Sequence, residues 1–438
     1  MKDGFYALAD RLAREARGGE VILCELAAEQ SDFVRFNHAR VRQAGTVTQS
    51  VLGLRLVNAG RQAATEVTLA GGVDDVERAR AALATLRDVV AQVPEDPWLA
   101  LPDAIRSTDT AHPGALPPPD AVVEDILSRA TGLDLVGFYA GGTIVRGFAN
   151  SLGQRNWHEV QSFNLDWSLY VKADKAVKAG YAGLHWDRDD FATRLERARE
   201  QLAVLERPAR TIEPGDYRTY LAPQALEELV GLLGWGGFSA RARRLRQSPL
   251  LRMEHGARLS ERVTLTENVA GGLAAPFQGE GHVKPATVPL IVDGALSDAL
   301  VSPRSAREYG LVSNAANERE APEAIELAPG TLATDDVLAA LDTGLYVGNL
   351  WYLNYSDRTA ARITGMTRFA TFWVERGRIV APVNVMRFDD ALYRLLGDQL
   401  VDLTREREWL LDTSTYGQRS TGSARLPGAL LSALRYTL

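Results

Sequence analysis

Cysteine is almost missing from this chain. Cys24 stands alone among 438 residues, so no internal disulfide framework can form, and such usage suits a reducing cytoplasm. Long apolar runs are missing too: nothing approaches the roughly 20 residues that a membrane-spanning helix needs. The first twenty residues, MKDGFYALADRLAREARGGE, carry charge throughout and have no apolar centre. They read as an amphipathic opening helix and not as a signal peptide. A cytoplasmic protein with no membrane association is the expectation.

Excess positive charge is also lacking. A formal net charge of −7 gives no general attraction for phosphate backbones. The one basic run, Arg241, Arg243, Arg244 and Arg246, has no interleaved aromatics. It reads as the solvated end of a helix, where cations suit the dipole, and no nucleic-acid partner is expected. No GxSxG elbow, Walker motif or Rossmann fingerprint occurs. Gly279, Glu280 and Gly281 are not followed by the Lys, Ser/Thr and helix of a P-loop. They read as a tight turn in which glycine permits close backbone approach, with Glu280 as a solvated carboxylate and the HVKPATVPL stretch after it as a strand.

The six histidines, His38, His112, His158, His185, His255 and His282, offer no i,i+4 pair on a predicted helix. WHEVQSF (157–163) has Ser162 where a zinc helix would place its second histidine. The expectation is surface or hydrogen-bonded histidines and no metal site on this chain. Cys24 lies in an apolar strand with no neighbouring Lys or His to activate it, and reads as a buried core thiol.

What is present is an ordinary soluble composition, 46% hydrophobic and 24% charged, in a chain long enough for two cores. Phe5, Leu8, Leu12 and Ala16 recur at helical spacing. Four strand-length segments follow to residue 72, bounded by Gly, Asn or Ser, and read as an antiparallel meander. Residues 73–92 form an amphipathic helix with an acidic first turn. Residues 93–119, rich in Pro, read as a long surface excursion or lid. A helix over 120–130, strands over 133–174 joined by Gly and Asn turns, and a charged helix over 189–209 complete an N-terminal domain, residues 1–212. The C-terminal domain, residues 213–438, opens with a strand and one helix over 223–247. Strands and turns then run to about 388, with short helices over 303–309, 333–341 and 389–398 and a tail that docks as a last strand or as an ordered arm. The fold class is α+β: an N-terminal helix and antiparallel-sheet domain, then a mostly-β domain forming a curved sheet or barrel.

Three segments carry a family resemblance. TGMTRFATFWVERGRIVAPV (364–383) reads as strand, Glu-Arg-Gly turn, strand. LIVDGALSDALVSPRSAREYG (290–310) repeats that pattern around Asp-Gly. FQGEG (277–281) precedes both. With GLYVGNLWYLNY (344–355) and the FANSLGQRN turn (148–156), their order and spacing resemble the TldD/PmbA family. That family pairs a zinc-peptidase subunit with a metal-free sister. In the zinc subunit, the helix opening the second domain carries HExxxH, whose histidines ligate the metal and whose Glu is a general base, and a cysteine on a later strand completes the site. Here the corresponding helix, ALEELVGLLGWGGFSA, has Glu227 and Glu228 but no histidine, and the corresponding strand has no cysteine.

The resemblance therefore implies a TldE/PmbA-like, metal-free subunit with no catalytic residues and no cofactor of its own. Its expected partner is a TldD-like, HExxxH-bearing chain that supplies the zinc, in a heterodimer acting on an extended or modified peptide. Phe277, Gln278, Gly279, Glu280, Asn314, Asn317, Arg319, Trp351, Tyr352 and Arg368 are the candidate substrate or interface contacts. For the Asn residues ordinary turn chemistry is the equal alternative. For LWYLNY (350–355) core packing is favoured over an exposed edge that pairs with a peptide. The competing functional readings are a stand-alone homodimeric protein binding a peptide or metabolite, and a regulator of a DNA-linked enzyme, which the acidic charge disfavours.

Overall fold

The computed structural model describes residues 1–172 and 175–437. α1 (Lys2–Ala13) buries Phe5, Leu8 and Leu12 on one face. β1 (Val21–Asn37) and β2 (Arg40–Asn58) are long antiparallel partners, joined by His38 and Ala39, both at φ near +50°, the mirror-image turn whose twist matches the strands. β3 (Arg61–Thr68) pairs with β2, and α2 (Asp74–Val90) follows. The four expected strands are thus three. Ser31 and Gly45 do not end strands: at Ser31 β1 is paired on both sides, and at Gly45 β2 keeps its pairing with Phe33 of β1.

β4 (Thr108–His112) interrupts the expected excursion, and α3 (Pro119–Arg129) follows it. β5 (Asp134–Asn150) and β6 (Arg155–Lys172) are two unbroken strands. Gly141 and Gly142 stay inside β5, and only residues 151–154 turn. The last two residues of the expected strand region, 173 and 174, lie outside the described residues. β7 (Lys175–Gly183) and α4 (Arg188–Leu205) close this half. The sheet order is β3-β2-β1-β5-β6-β4 with β7 beside β6; β4 joins in parallel and the other pairs are antiparallel. One face is covered by α1 and α2 over Ile22, Cys24 and Leu26, and further along by α3 and α4 over Val34, Phe36 and Trp167. The opposite face turns toward the second half, where Leu23 and Phe148 pack on Phe277.

The second half begins with β8 (Gly215–Leu221) and α5 (Pro223–Gly234). The single helix expected over 223–247 is broken. A Cβ on Gly237 would lie 2.4 Å from the Leu233 carbonyl, and Gly236 has φ +83°, so the glycines let the chain fold back on the helix end. α6 (Ala240–Arg244) restarts under a Ser239 cap. The region after it is less regular than expected: α7 (Leu251–Glu254), β9 (Leu265–Glu267), β10 (Val288–Val292), β11 (Ala295–Leu296), α8 (Pro303–Tyr309) and β12 (Ala324–Leu327) are short. Only the end of HVKPATVPL is strand. α8 matches its expected span, with Ser302 as cap and Gly310 left-handed at its end.

A 3-10 turn (Thr334–Asp336) and α9 (Val337–Leu341) lead into β13 (Gly344–Asp357), β14 (Arg362–Glu375), β15 (Arg378–Pro382) and β16 (Arg387–Ala391). The helix expected over 389–398 is shorter: β16 runs to Ala391, and residues 392–398 are helical, ending in a π turn over Arg394–Asp398. β17 (Leu400–Leu411) and β18 (Ser423–Tyr436) end the chain. β18 pairs with β16, β16 with β14, β14 with β13, β13 with β8, and β8 again with β18. That circuit closes the sheet into the barrel-like form expected, and α5 packs its Leu226, Leu229 and Leu233 into the core it shares with Val347, Phe388 and Leu431.

Candidate functional site

α5 and β13, the two segments to which the resemblance draws attention, lie side by side: the Tyr355 hydroxyl donates to the Leu232 carbonyl at 2.8 Å. Pro223 starts α5 directly after β8, where its missing N–H costs nothing. Off its core face the helix carries a half-buried Glu227 and an exposed Glu228. Burial, then the nearby charges of Glu228 and Asp412, push the Glu227 carboxyl up to about 7, with Lys178 opposing. Burial also raises Glu228.

Beside the first turn of α5 a crevice of about 420 Å³ opens between the halves, lined among others by Lys178, Arg194, Gln224, Tyr346 and Glu408. Glu408 accepts from Arg194 Nη1 at 3.0 Å and from Gln224 Nε2 at 2.9 Å. Arg194 also donates to Asp190 at 3.1 Å and lies over the Tyr181 ring. These groups come from β7, α4, α5, β13 and β17, and no motif marks them. Lys178 links the crevice to the next feature: its Nζ is 3.4 Å from Asp166 and 6.0 Å from the Phe369 ring centroid.

That feature is a bulge shared by β13 and β14. The register slips between Val347 and Asn349, opposite Phe369, and again between Trp351 and Asn354; Tyr352 and Phe369 take φ of +58° and +59°, uncommon for bulky residues. Trp351 points outward as the neighbour of inward Leu350, and the second slip leaves Tyr352 outward too. Core packing, the favoured reading of LWYLNY, therefore fails for its aromatic pair: Leu350 is buried, but Trp351 is 44% and Tyr352 76% exposed. The Arg368 guanidinium stacks 4.1 Å from the Trp351 centroid.

The other candidates gather elsewhere. Phe277 is buried against Leu23, Val57 and Phe148. The Gln278 side chain accepts from the Glu280 amide at 2.5 Å. Gly279 lies on Glu25, where a Cβ would stand 2.6 Å from its carboxylate, and Gly281, at φ +89°, lies against the Phe148 ring. Glu280 is not the solvated carboxylate expected: it is 3.2 Å from Arg55 and only 18% exposed. Asn314 accepts from the Val301 amide at 2.9 Å and donates to the Ala299 carbonyl at 2.7 Å. Asn317 donates to the Ala321 carbonyl and accepts from the amides of Arg319 and Ala321, and Arg319 is exposed. Asn314 faces a cavity of about 620 Å³ together with Arg106, His282, Lys284 and Arg307. The FQGEG turn and the Asn-rich loop therefore border one region against the N-terminal sheet, while Trp351, Tyr352 and Arg368 belong to the α5 side.

Among the described residues, no group of three or more His, Cys, Asp or Glu side chains converges to hold a metal ion. Two glutamates without His or Cys are not the donor set of a zinc site. His158 is buried, with Thr110 Oγ1 and the Leu273 carbonyl each 2.8 Å from its ring nitrogens, and burial brings its pKa down to about 4. Cys24 is buried, and desolvation pushes its thiol up to about 12.

A family model described as the PmbA/TldA metallopeptidase C-terminal domain matches residues 214–437, just over half of the chain. No curated protein sequence matches significantly. Among solved structures, TldE from Thermococcus kodakarensis is similar over 99% of this chain and 100% of its own, with a TM-score of 0.82 and 16% identity. Two proteins described as modulators of DNA gyrase are also similar at 16% identity. That of Bacteroides thetaiotaomicron has a TM-score of 0.77 and covers 100% of this chain and 98% of its own. That of Thermotoga maritima has 0.74, with 100% and 99% covered. The chain belongs to the PmbA/TldD family.

Proposed function

We propose that this chain is a TldE-like, metal-free subunit of a two-subunit zinc metallopeptidase. One observation carries the reading. α5, the helix that opens the family-matched half and packs beside β13, presents Glu227 and Glu228 and no histidine, while β13 presents no cysteine. The whole-chain likeness to TldE from Thermococcus kodakarensis supports the same reading. The partner is a TldD-like chain bearing HExxxH, and it supplies the zinc, the activated water and the general base.

On this reading the chain's own work is binding. The crevice at the start of α5 offers paired charges, and the Trp351–Tyr352–Arg368 surface offers flat aromatic faces beside a cation. Such groups hold an extended or modified peptide through main-chain and stacking contacts with little sequence demand. The test is co-expression with an HExxxH-bearing chain from the same genome, followed by size-exclusion chromatography and a peptide hydrolysis assay. Co-elution and chelator-sensitive hydrolysis by the pair, with none by this chain alone, are expected. Chelator-sensitive hydrolysis by the isolated chain overturns the proposal.

A further inference from the structure

Residues 412–422, which join β17 to β18, leave the C-terminal half and lie across the face of the N-terminal sheet that turns toward that half. Residues 412–417 of this strap are exposed except for half-buried Thr415, with Tyr416 at 99%, and residues 418–422 lie half-buried or deeper. Arg419 is the one fully buried residue of the strap, at 5%. Its Nη2 donates to the Ser162 carbonyl at 2.9 Å and to the Ser162 hydroxyl at 3.0 Å. Its Nη1 donates to the Ser31 hydroxyl and the Gly142 carbonyl, both at 3.3 Å. The strap backbone is held as well: the Arg419 amide donates to Glu29 at 3.3 Å, the Arg419 carbonyl accepts from Arg146 at 3.2 Å, and the Gly417 carbonyl accepts from Gln49 at 2.7 Å.

The receptor is built by strand register. Ser31 of β1 stands opposite Gly142 of β5, which stands opposite Ser162 of β6. Three small residues in one row across three strands leave a trough deep enough for a guanidinium. Gly142 is required: at φ +143° a Cβ would lie 2.2 Å from the Gln30 carbonyl. Glu29, 1% exposed, receives the Ser31 hydroxyl at 2.9 Å and Gln49 at 2.5 Å, and gives the trough its negative charge. The acceptors match a planar fork of N–H donors, which Lys could not satisfy.

We infer that this face of the N-terminal sheet is a binding site for an arginine side chain on an extended peptide, and that the chain fills it with its own Arg419. Three side chains grip the main chain of residues 417–419 and one socket takes the side chain, so main-chain bonds supply affinity and the pocket supplies specificity. The remainder of the strap makes few such contacts, so Arg419 is what keeps it down. The inference does not depend on the identity of the zinc-bearing partner.

The test uses the full chain carrying Arg419→Ala and a fluorescent decapeptide of the strap sequence, residues 413–422, as the probe. Saturable binding to the variant is expected, at least tenfold tighter than to the wild type, where the socket is already occupied. A probe with alanine in place of its arginine is expected to bind neither. As a second readout, methylguanidine at low millimolar concentration is expected to raise the melting temperature of the Arg419→Ala protein and not that of the wild type. Should Arg419→Ala not fold, Arg419→Lys replaces it in both measurements. A folded variant that neither binds the probe nor responds to methylguanidine overturns the inference and leaves Arg419 as a tie between the two halves.

Discussion

The guanidinium of Arg55 stands 3.2 Å from the carboxylate of Glu280, so a strand of the N-terminal sheet is tied to the FQGEG turn by a partly buried ion pair. Arg55 also donates to Gln62 at 2.9 Å. Removing one partner of such a pair leaves the other poorly solvated. Glu280→Gln is expected to lower stability by about 1–2 kcal/mol, read from urea unfolding. The double variant with Arg55→Met is expected to cost less than the two singles summed.

Gly281 makes the same junction on steric grounds. Its φ is +89° and an added Cβ would lie 2.4 Å from the Phe148 ring, a buried side chain that cannot retreat. Gly281→Ala is expected to cost more than about 2 kcal/mol. Gly132→Ala, at similar φ but with nothing within 4 Å, is expected to cost roughly 1 kcal/mol from backbone strain alone. Thermal unfolding of the two variants separates the contributions.

His158 gives the fold an acid sensitivity. Its pKa is brought down to about 4 by burial, from 6.5, so between those values the unfolded chain binds a proton that the folded chain does not. Its contribution to stability is complete above pH 6.5 and is lost as pH falls toward 4. About 2 kcal/mol is expected to go between pH 7 and pH 5. His158→Gln, which retains a donor for the Leu273 carbonyl, is expected to flatten that part of the stability profile.

The exposed aromatic pair separates binding from folding. Trp351→Ala removes a side chain already 44% exposed and stacked on Arg368, so its effect on stability is expected to stay below about 1 kcal/mol. Peptide affinity of the reconstituted complex is expected to fall roughly fivefold, the worth of one stacked aromatic contact. Equal affinity with and without Trp351 removes this surface from the proposed peptide path.

Local signals carried much of the architecture. Ser302, Pro303 and Gly310 punctuate α8 so strongly that its limits were readable. The strand, Glu-Arg-Gly turn and strand of residues 364–383 stand as read, with β14 and β15 on either side of a positive-φ Arg376 and Gly377. Signals depending on distant partners were not readable. Ser31 looks like a breaker, but β1 has a ladder on both sides there, and Gly45 is carried through by its pairing with Phe33. Glu280 looks solvated until Arg55, 225 positions away, is placed beside it. The aromatic pair looks like core in a run of large apolar residues; with Leu350 inward, alternation points Trp351 out, and the register slip after Trp351 turns Tyr352 out as well. Lys178, Glu408 and Arg419 belong to no motif, since β7, β17 and the strap meet α5 and the N-terminal sheet only after both sheets have formed.

The most direct measurement is zinc content by plasma mass spectrometry on two samples, this chain purified alone and its complex with an HExxxH-bearing chain. The account expects far less than one zinc per molecule in the first and close to one per heterodimer in the second. Stoichiometric zinc held by this chain alone would contradict it.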